Sequence, residues 1–211
     1  MWTFIVIAAI LIVLILIVLS MLRQRTANVV KNTRVLVCSL GNDPTITQQT
    51  NEDCEVYKHH YVLVEKHTDL LTTQLLTLLT EGGYKTVHLL AKYDQLGNIL
   101  DRDSGPLTPG ELFKAGNQGK IKLLYLAGDG SPKTDIAKLL LDAYEASLRG
   151  FMVVFTKNRG PYFARFLNNL VARLATGVGL ILAWGLLRPQ DFGGQKPIED
   201  DGMIAICFGK L

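Results

Sequence analysis

The first twenty-two residues carry no charge: Met1-Trp2-Thr3-Phe4 leads into a run of Ile, Val, Ala and Leu from Ile5 to Leu19, closed by Ser20-Met21-Leu22. At about 1.5 Å of rise per residue, a helix from Trp2 to Leu22 is roughly 30 Å long, the thickness of a bilayer's hydrocarbon core. The pattern then changes to short apolar runs set between polar and glycine-rich segments. Arg34-Val35-Leu36-Val37-Cys38-Ser39-Leu40 predicts a buried strand ending at Gly41-Asn42-Asp43-Pro44, and Tyr61-Val62-Leu63-Val64-Glu65 predicts a second. From Asp69 to Glu81, Leu70, Leu71, Leu75, Leu76, Leu78 and Leu79 fall at helical spacing before Gly82-Gly83, predicting a core-facing helix with a glycine stop.

The alternation continues to the C-terminus. A strand from Thr86 to Ala91 precedes a polar excursion from Tyr93 to Gly105, a short helix from Pro109 to Ala115 and a strand from Ile121 to Leu126. Then come a helix from Asp135 to Arg149, a strand from Phe151 to Phe155, a long helical region from Pro161 to Leu187 and a last strand from Met203 to Phe208. Strands alternating with helices predict an α/β fold, a mostly parallel sheet with helices on both faces. The expected layout is a transmembrane helix over residues 1–22, a juxtamembrane linker over 23–33 and one α/β domain over 34–211. Within that domain Val178 to Trp184 is too short, and too close to Arg173 and Arg188, for a second span, so burial is expected.

Charge settles which kind of apolar leader this is. A cleaved signal peptide needs a basic start, a shorter apolar core and a small-residue cleavage site. Here the basic residues follow the run, at Arg23, Arg25, Lys31 and Arg34. By the positive-inside rule the N-terminus lies outside and the domain is cytoplasmic, so the chain is expected to be a single-pass membrane protein. The formal net charge is +3, with much of the excess just beyond the apolar run, and no basic run argues for DNA or RNA duplex binding. Cys38, Cys54 and Cys207 form no Cys-x-x-Cys pair and read as reduced core residues. Cys54 with His59 and His60 is the one grouping that hints at a metal, but neighbouring histidines of an extended segment point to opposite faces, so no metal and no cofactor is expected.

In a doubly covered parallel sheet, ligands gather in the loops beyond the carboxyl ends of the strands. Four such loops are predicted: Ser39 to Thr45, Lys92 to Gly97, Gly128 to Thr134 and Thr156 to Gly160. Gly128-Asp129-Gly130-Ser131-Pro132-Lys133-Thr134 has the form of a phosphate cradle, with backbone donors beside a lysine and a hydroxyl. It is not a P-loop, because the two required glycines fall on Ala127 and Pro132, and proline removes a donor. The expected ligand-binding residues are Asn42, Asp43, Thr45, Gly128, Asp129, Gly130, Ser131, Lys133 and Thr134. Asp101, Arg102 and Asp103 read as solvated loop residues.

From Tyr61 to Phe208, order and spacing resemble the caspase-like domain of bacterial conflict systems known as CHAT. The segments that carry the resemblance are Val87-His88-Leu89-Leu90-Ala91-Lys92-Tyr93, then Gly97-Asn98-Ile99-Leu100 with Leu107-Thr108-Pro109-Gly110-Glu111-Leu112, then Leu123-Leu124-Tyr125-Leu126-Ala127-Gly128-Asp129. Gly150 to Val154, Phe163 to Gly177 and the closing strand to Gly209 continue it. In that family the first strand ends in a catalytic histidine and the later one in a catalytic cysteine. Here those positions fall on Lys92 or Tyr93 and on Asp129 or Gly128, while His88 is four residues early. The resemblance therefore implies a caspase-like fold without cysteine-peptidase chemistry, and no catalytic residue is assigned.

A rival resemblance is to CRISPR-associated Rossmann-like sensor domains that bind cyclic oligoadenylates. It implies ligand contacts from Ser39 to Thr45 and from a turn opening a helix, here Gly128 to Thr134. Against it, Ile46 to Lys58 is a polar stretch where that fold needs a helix, and the chain runs one helix and one strand longer. Both resemblances imply a non-enzymatic, membrane-anchored effector of bacterial signalling or antiviral defence. Its domain would sense a cyclic oligonucleotide or a protein partner and bring the membrane helices together as a homo-oligomer. The other reading is a membrane-bound enzyme in which Asp129 and Lys92 form an acid-base pair. The charge asymmetry itself makes a prediction: a reporter active only outside the cytoplasm, fused after Leu211, will stay silent, and activity from it would overturn the orientation.

Overall fold

The computed structural model describes residues 11–21, 30–100, 105–127, 152–156, 163–191 and 203–206. Residues 11–21 form helix α1, every one of them exposed. The predicted span over residues 1–22 reaches beyond the described residues, and among the described residues no helix is long and apolar enough to cross a membrane. The predicted helix from Asp135 to Arg149 also lies outside them.

The domain is α/β, as the alternation requires. In chain order its elements are β1 (Arg34–Leu40), α2 (Pro44–His60), β2 (Leu63–Leu70), α3 (Thr72–Glu81) and β3 (Thr86–Leu90). A hairpin of β4 (Lys92–Tyr93) and β5 (Ile99–Leu100) follows, then α4 (Pro109–Gln118), β6 (Leu123–Ala127) and β7 (Met152–Thr156). The last elements are α5 (Phe163–Ala175), α6 (Leu180–Asp191) and β8 (Met203–Ile206). The sheet has the order β2-β1-β3-β6-β7-β8; the first five strands are parallel and β8 runs antiparallel to β7.

Strand alternation sorts the core into two layers. Leu36, Cys38 and Leu40 of β1, Val87 and Leu89 of β3, Leu124 and Leu126 of β6, and Val153 and Phe155 of β7 face Leu75 and Leu79 of α3 and Leu112 and Phe113 of α4. The intervening residues Val35, Val37, Leu90, Leu123, Tyr125 and Val154 face Ile46, Cys54 and Tyr57 of α2, Phe166 and Leu170 of α5, and Leu180 and Leu187 of α6. The central strands are apolar on both sides because both sides are covered.

Helix α2 corrects the expectation of a polar, non-helical stretch from Ile46 to Lys58. Asp43 caps it, its carboxylate accepting from the N–H groups of Thr45 and Ile46, and Pro44 stands in the first turn where its missing N–H costs nothing. Its buried face consists of Ile46, Thr50, Asp53, Cys54 and Tyr57, so two polar residues interrupt the apolar stripe that would have marked a helix. The region from Pro161 to Leu187 resolves into two helices that part at Thr176 to Gly179, with Gly177 at φ 82°. Burial of the Val178–Trp184 run is only partial: Leu180 and Ala183 are buried, while Ile181 and Leu182 are exposed.

Within the polar excursion, Asp94 builds the β4–β5 turn by accepting from the N–H groups of Leu96 and Asn98. Helix α4 starts on a reciprocal cap: the Thr108 hydroxyl accepts from the Glu111 N–H, and the Glu111 carboxylate accepts from the Thr108 N–H. Its other end has a tight fit. A Cβ on Gly119 would lie 1.7 Å from the Leu79 carbonyl oxygen of α3, whereas the next residue, Lys120, holds φ 57°, a left-handed position that glycine fills without steric cost. Adjacent substitutions should therefore act in opposite directions. Gly119→Ala should lower stability by ~1–3 kcal/mol through backbone overlap, and Lys120→Gly should raise it by about 1 kcal/mol, both read as shifts of the urea midpoint.

Candidate functional site

The chain leaves β1 for β2 on one side and returns to β3 on the other, which puts the reversal of strand order between β1 and β3. Crevices form beyond the carboxyl ends of the strands at such a point. One is present there, of about 420 Å³, lined by Leu40, Gly41, Asn42, Asp43, Pro44, Ile46, Lys92 and Leu100. Leu40, Ile46 and Leu100 give it an apolar side, and Asn42, Asp43 and Lys92 give it a polar rim. The size and the mixture suit a small ligand.

Each wall has a local cause. Gly41, at φ 70°, turns the chain out of β1, and its N–H donates to the Leu70 carbonyl of β2. That turn delivers Asp43 to the start of α2. One carboxylate oxygen accepts from the Thr45 N–H at 2.8 Å and the Ile46 N–H at 3.4 Å, and the other lies 2.6 Å from Lys92 Nζ. Lys92 is placed by β3, which ends two residues earlier, and by its pairing with Leu100 across the hairpin. The Asp43 carboxyl is held below its ordinary value first by Lys92 and then by the Thr45 N–H.

Of the residues expected to bind ligand, Asn42 and Asp43 line the crevice, and Thr45 stands beside it with its N–H on Asp43. Gly128, Asp129, Gly130, Ser131, Lys133 and Thr134 lie outside the described residues. Lys92, considered as a partner of Asp129, is engaged by Asp43. Sequence reasoning missed this pairing and the hydrophobic contribution of Leu40, Ile46 and Leu100. An Asp-Pro step after a strand, with a lysine ending another strand, was the available signal, but nothing in the sequence shows that the two strands are neighbours.

The histidines and cysteines point elsewhere. His59 Nδ1 is 2.7 Å from the Glu55 carbonyl and His60 Nε2 is 3.1 Å from Asn168 Oδ1, while Cys54 is buried. Burial pushes the thiols of Cys38 and Cys54 above their ordinary range, so neither is a ready nucleophile. Cys207 lies outside the described residues. A second polar cluster sits in the core between α2 and the sheet: His88 Nε2 is 3.2 Å from Asp53 Oδ2, and His88 Nδ1 is 3.2 Å from the Tyr57 hydroxyl. The Tyr125 ring stacks on the imidazole at 4.6 Å. All four residues are buried, so a substrate reaches them only if the core opens.

No protein-family model matches the chain, and no curated protein matches it in sequence. The functional reading therefore rests on the crevice and on the residues around it.

The Asp43–Lys92 pair has a testable pH signature. A carboxyl whose folded pKa is depressed adds stability above its ordinary value of 3.8, and that stability is lost as the pH falls through the lowered folded value. In Lys92→Met the Asp43 titration, followed by carboxyl-carbon NMR, should move up toward the ordinary value and stop short of it, because the Thr45 N–H remains. A titration unchanged by the substitution would mean that the pair does not form in solution.

Proposed function

We propose that the chain is a membrane-anchored, non-enzymatic signalling effector of bacterial antiviral defence. Its α/β domain recognises a ligand or partner at the crevice between β1 and β3, and that recognition gathers the N-terminal apolar helices of several copies. A single apolar helix cannot line a wet pore alone, whereas assembly of the domains raises the local concentration of the helices and favours their association. The finer fold reading, a caspase-like or Rossmann-like three-layer sandwich behind one transmembrane helix, belongs to this proposal. So does the orientation with the N-terminus outside and the domain in the cytoplasm.

The observation that supports it most directly is the crevice, which combines apolar walls, an amide side chain and a lysine at the strand-order reversal. The buried thiols of Cys38 and Cys54 and the full burial of His88 favour recognition over cysteine chemistry. The cyclic-oligonucleotide reading gains support from α2, since the helix whose absence weighed against it is present. It also meets an obstacle: Asp43 already occupies the first N–H donors of that helix, so a phosphate must compete with a carboxylate for them and for Lys92. The enzyme reading, with Asp129 and Lys92 as an acid-base pair, has less support because Lys92 is held by Asp43.

Calorimetric titration of the full-length protein with nucleotides and cyclic oligonucleotides tests the ligand class, with Lys92→Ala and Lys133→Ala beside it. A phosphate-bearing ligand held by Lys92 should bind about ten- to a hundredfold more weakly to Lys92→Ala, the equivalent of one charge-assisted hydrogen bond. Loss in Lys133→Ala alone would move the site to the Gly128–Thr134 turn. No binding by a protein shown to be folded would retire the nucleotide reading and leave a protein partner.

A further inference from the structure

The opposite edge of the sheet, where the parallel strands begin, carries a row of lysines. Main-chain hydrogen bonds fix its order: the Lys85 N–H donates to the Arg34 carbonyl, the Lys122 N–H to the Lys85 carbonyl, and the Met152 N–H to the Lys122 carbonyl. Lys85 and Lys122 therefore stand about 4.8 Å apart, the strand spacing, between Arg34 of β1 and Met152 of β7. Lys120 joins the row in the turn before β6, where its carbonyl accepts from Lys85 Nζ. Lys31 extends the other end, its carbonyl accepting from the Val62 N–H.

Among the described residues, the carboxylates at this edge do not balance these cations. Glu65 is taken by Arg34 and Glu55 by Lys58. Glu81, at the end of α3, remains, and no ion pair among the described residues engages Lys31, Lys85, Lys120 or Lys122. Lysines on adjacent strands repel one another. Beside them Val62 is 69% and Leu63 47% exposed, so the edge presents cations around an apolar spot. Cations around exposed apolar side chains match an anionic headgroup layer over hydrocarbon.

The proposed membrane anchor points to the occupant. Between Leu22 and Arg34 lie residues 23–33, which reach about 40 Å even when fully extended. Because Arg34 opens β1, this tether enters the domain at the lysine edge and not at the crevice.

We propose that the lysine edge is the surface on which the domain rests against anionic phospholipid headgroups, a reading that depends on the membrane anchorage proposed above. The crevice then faces away from the bilayer. Each lysine near an anionic surface is worth roughly fivefold in the docking equilibrium.

The test uses the full-length protein in lipid nanodiscs of phosphatidylcholine alone or mixed with phosphatidylserine, with amine acetylation read by mass spectrometry. Modification of Lys31, Lys85, Lys120 and Lys122 should fall about fivefold or more on the anionic discs, while Lys92 and Lys114 stay unchanged. The protection should vanish in ~1 M salt, where the screening length is about 3 Å. Lys120→Gly, expected to fold more stably, should weaken protection of the other three lysines by roughly fivefold. Incorporation into both kinds of disc with equal modification would overturn the docking and leave the anchorage. Failure to incorporate into either would overturn both, and protection by added RNA in place of anionic lipid would overturn the docking in favour of a nucleic-acid surface.

Discussion

A parallel sheet whose two faces are both apolar has to be covered on both sides, and the other features of the domain follow from that requirement. Helices α3 and α4 cover one face and α2, α5 and α6 the other. Each crossover between parallel strands carries the chain from the carboxyl edge of the sheet to its amino edge, and only the antiparallel β8 departs from this. Loops are therefore confined to two edges, which differ in chemistry. The carboxyl edge holds the crevice with Asp43 and Lys92; the amino edge holds the lysine row.

The covered face on the α2 side contains a costly polar cluster. Burying His88 and Asp53 removes both from water, and a buried ionisable pair returns that cost only with good geometry and further hydrogen bonds. Here Tyr57 supplies a hydrogen-bonding hydroxyl and Tyr125 a stacked ring. The cluster ties the middle of α2 to the middle of β3, so sliding the helix by one turn would strand a buried carboxylate. Its physical contribution is register between helix and sheet.

Much of the fold was legible because strand and helix periodicities are strong in this chain. Strands such as Arg34–Leu40 and Thr86–Leu90 stand out as short apolar runs, and α3 shows its leucines at helical spacing. Helix α2 was not legible by the same rule, because Thr50 and Asp53 sit on its buried face; the capping pair Asp43-Pro44 was the better signal. The candidate site was legible in part. Beyond a strand end, Asn42 and Asp43 follow from the rule for parallel sheets, but the Lys92 contact depends on β3 lying next to β1, and strand order is not written in any local pattern. The lysine row was hidden for the same reason: Lys31, Lys85 and Lys122 are far apart in sequence and meet only through strand pairing. A net charge of +3 does not reveal that Lys31, Lys85, Lys120 and Lys122 gather at one edge.

The distance between the edges bears on how a ligand bound at the crevice, as proposed, would be sensed at the other edge. A strand of five residues spans about 17 Å, roughly twice the screening length of ~8 Å at physiological salt. Ligand charge in the crevice is therefore weakly felt at the lysine edge through solvent, which leaves mechanical routes through packed elements. Helix α2 is the most direct of these. Its 17 residues make a rod of about 25 Å that begins at Asp43 in the crevice and ends at His60, two residues before Val62 at the lysine edge. Its middle is held to β3 by the buried His88–Asp53 contact, so a displacement of Asp43 by a ligand either carries the helix as a body or is absorbed in its first turn. In the proposed effector, the stiffness of that central attachment decides between the two.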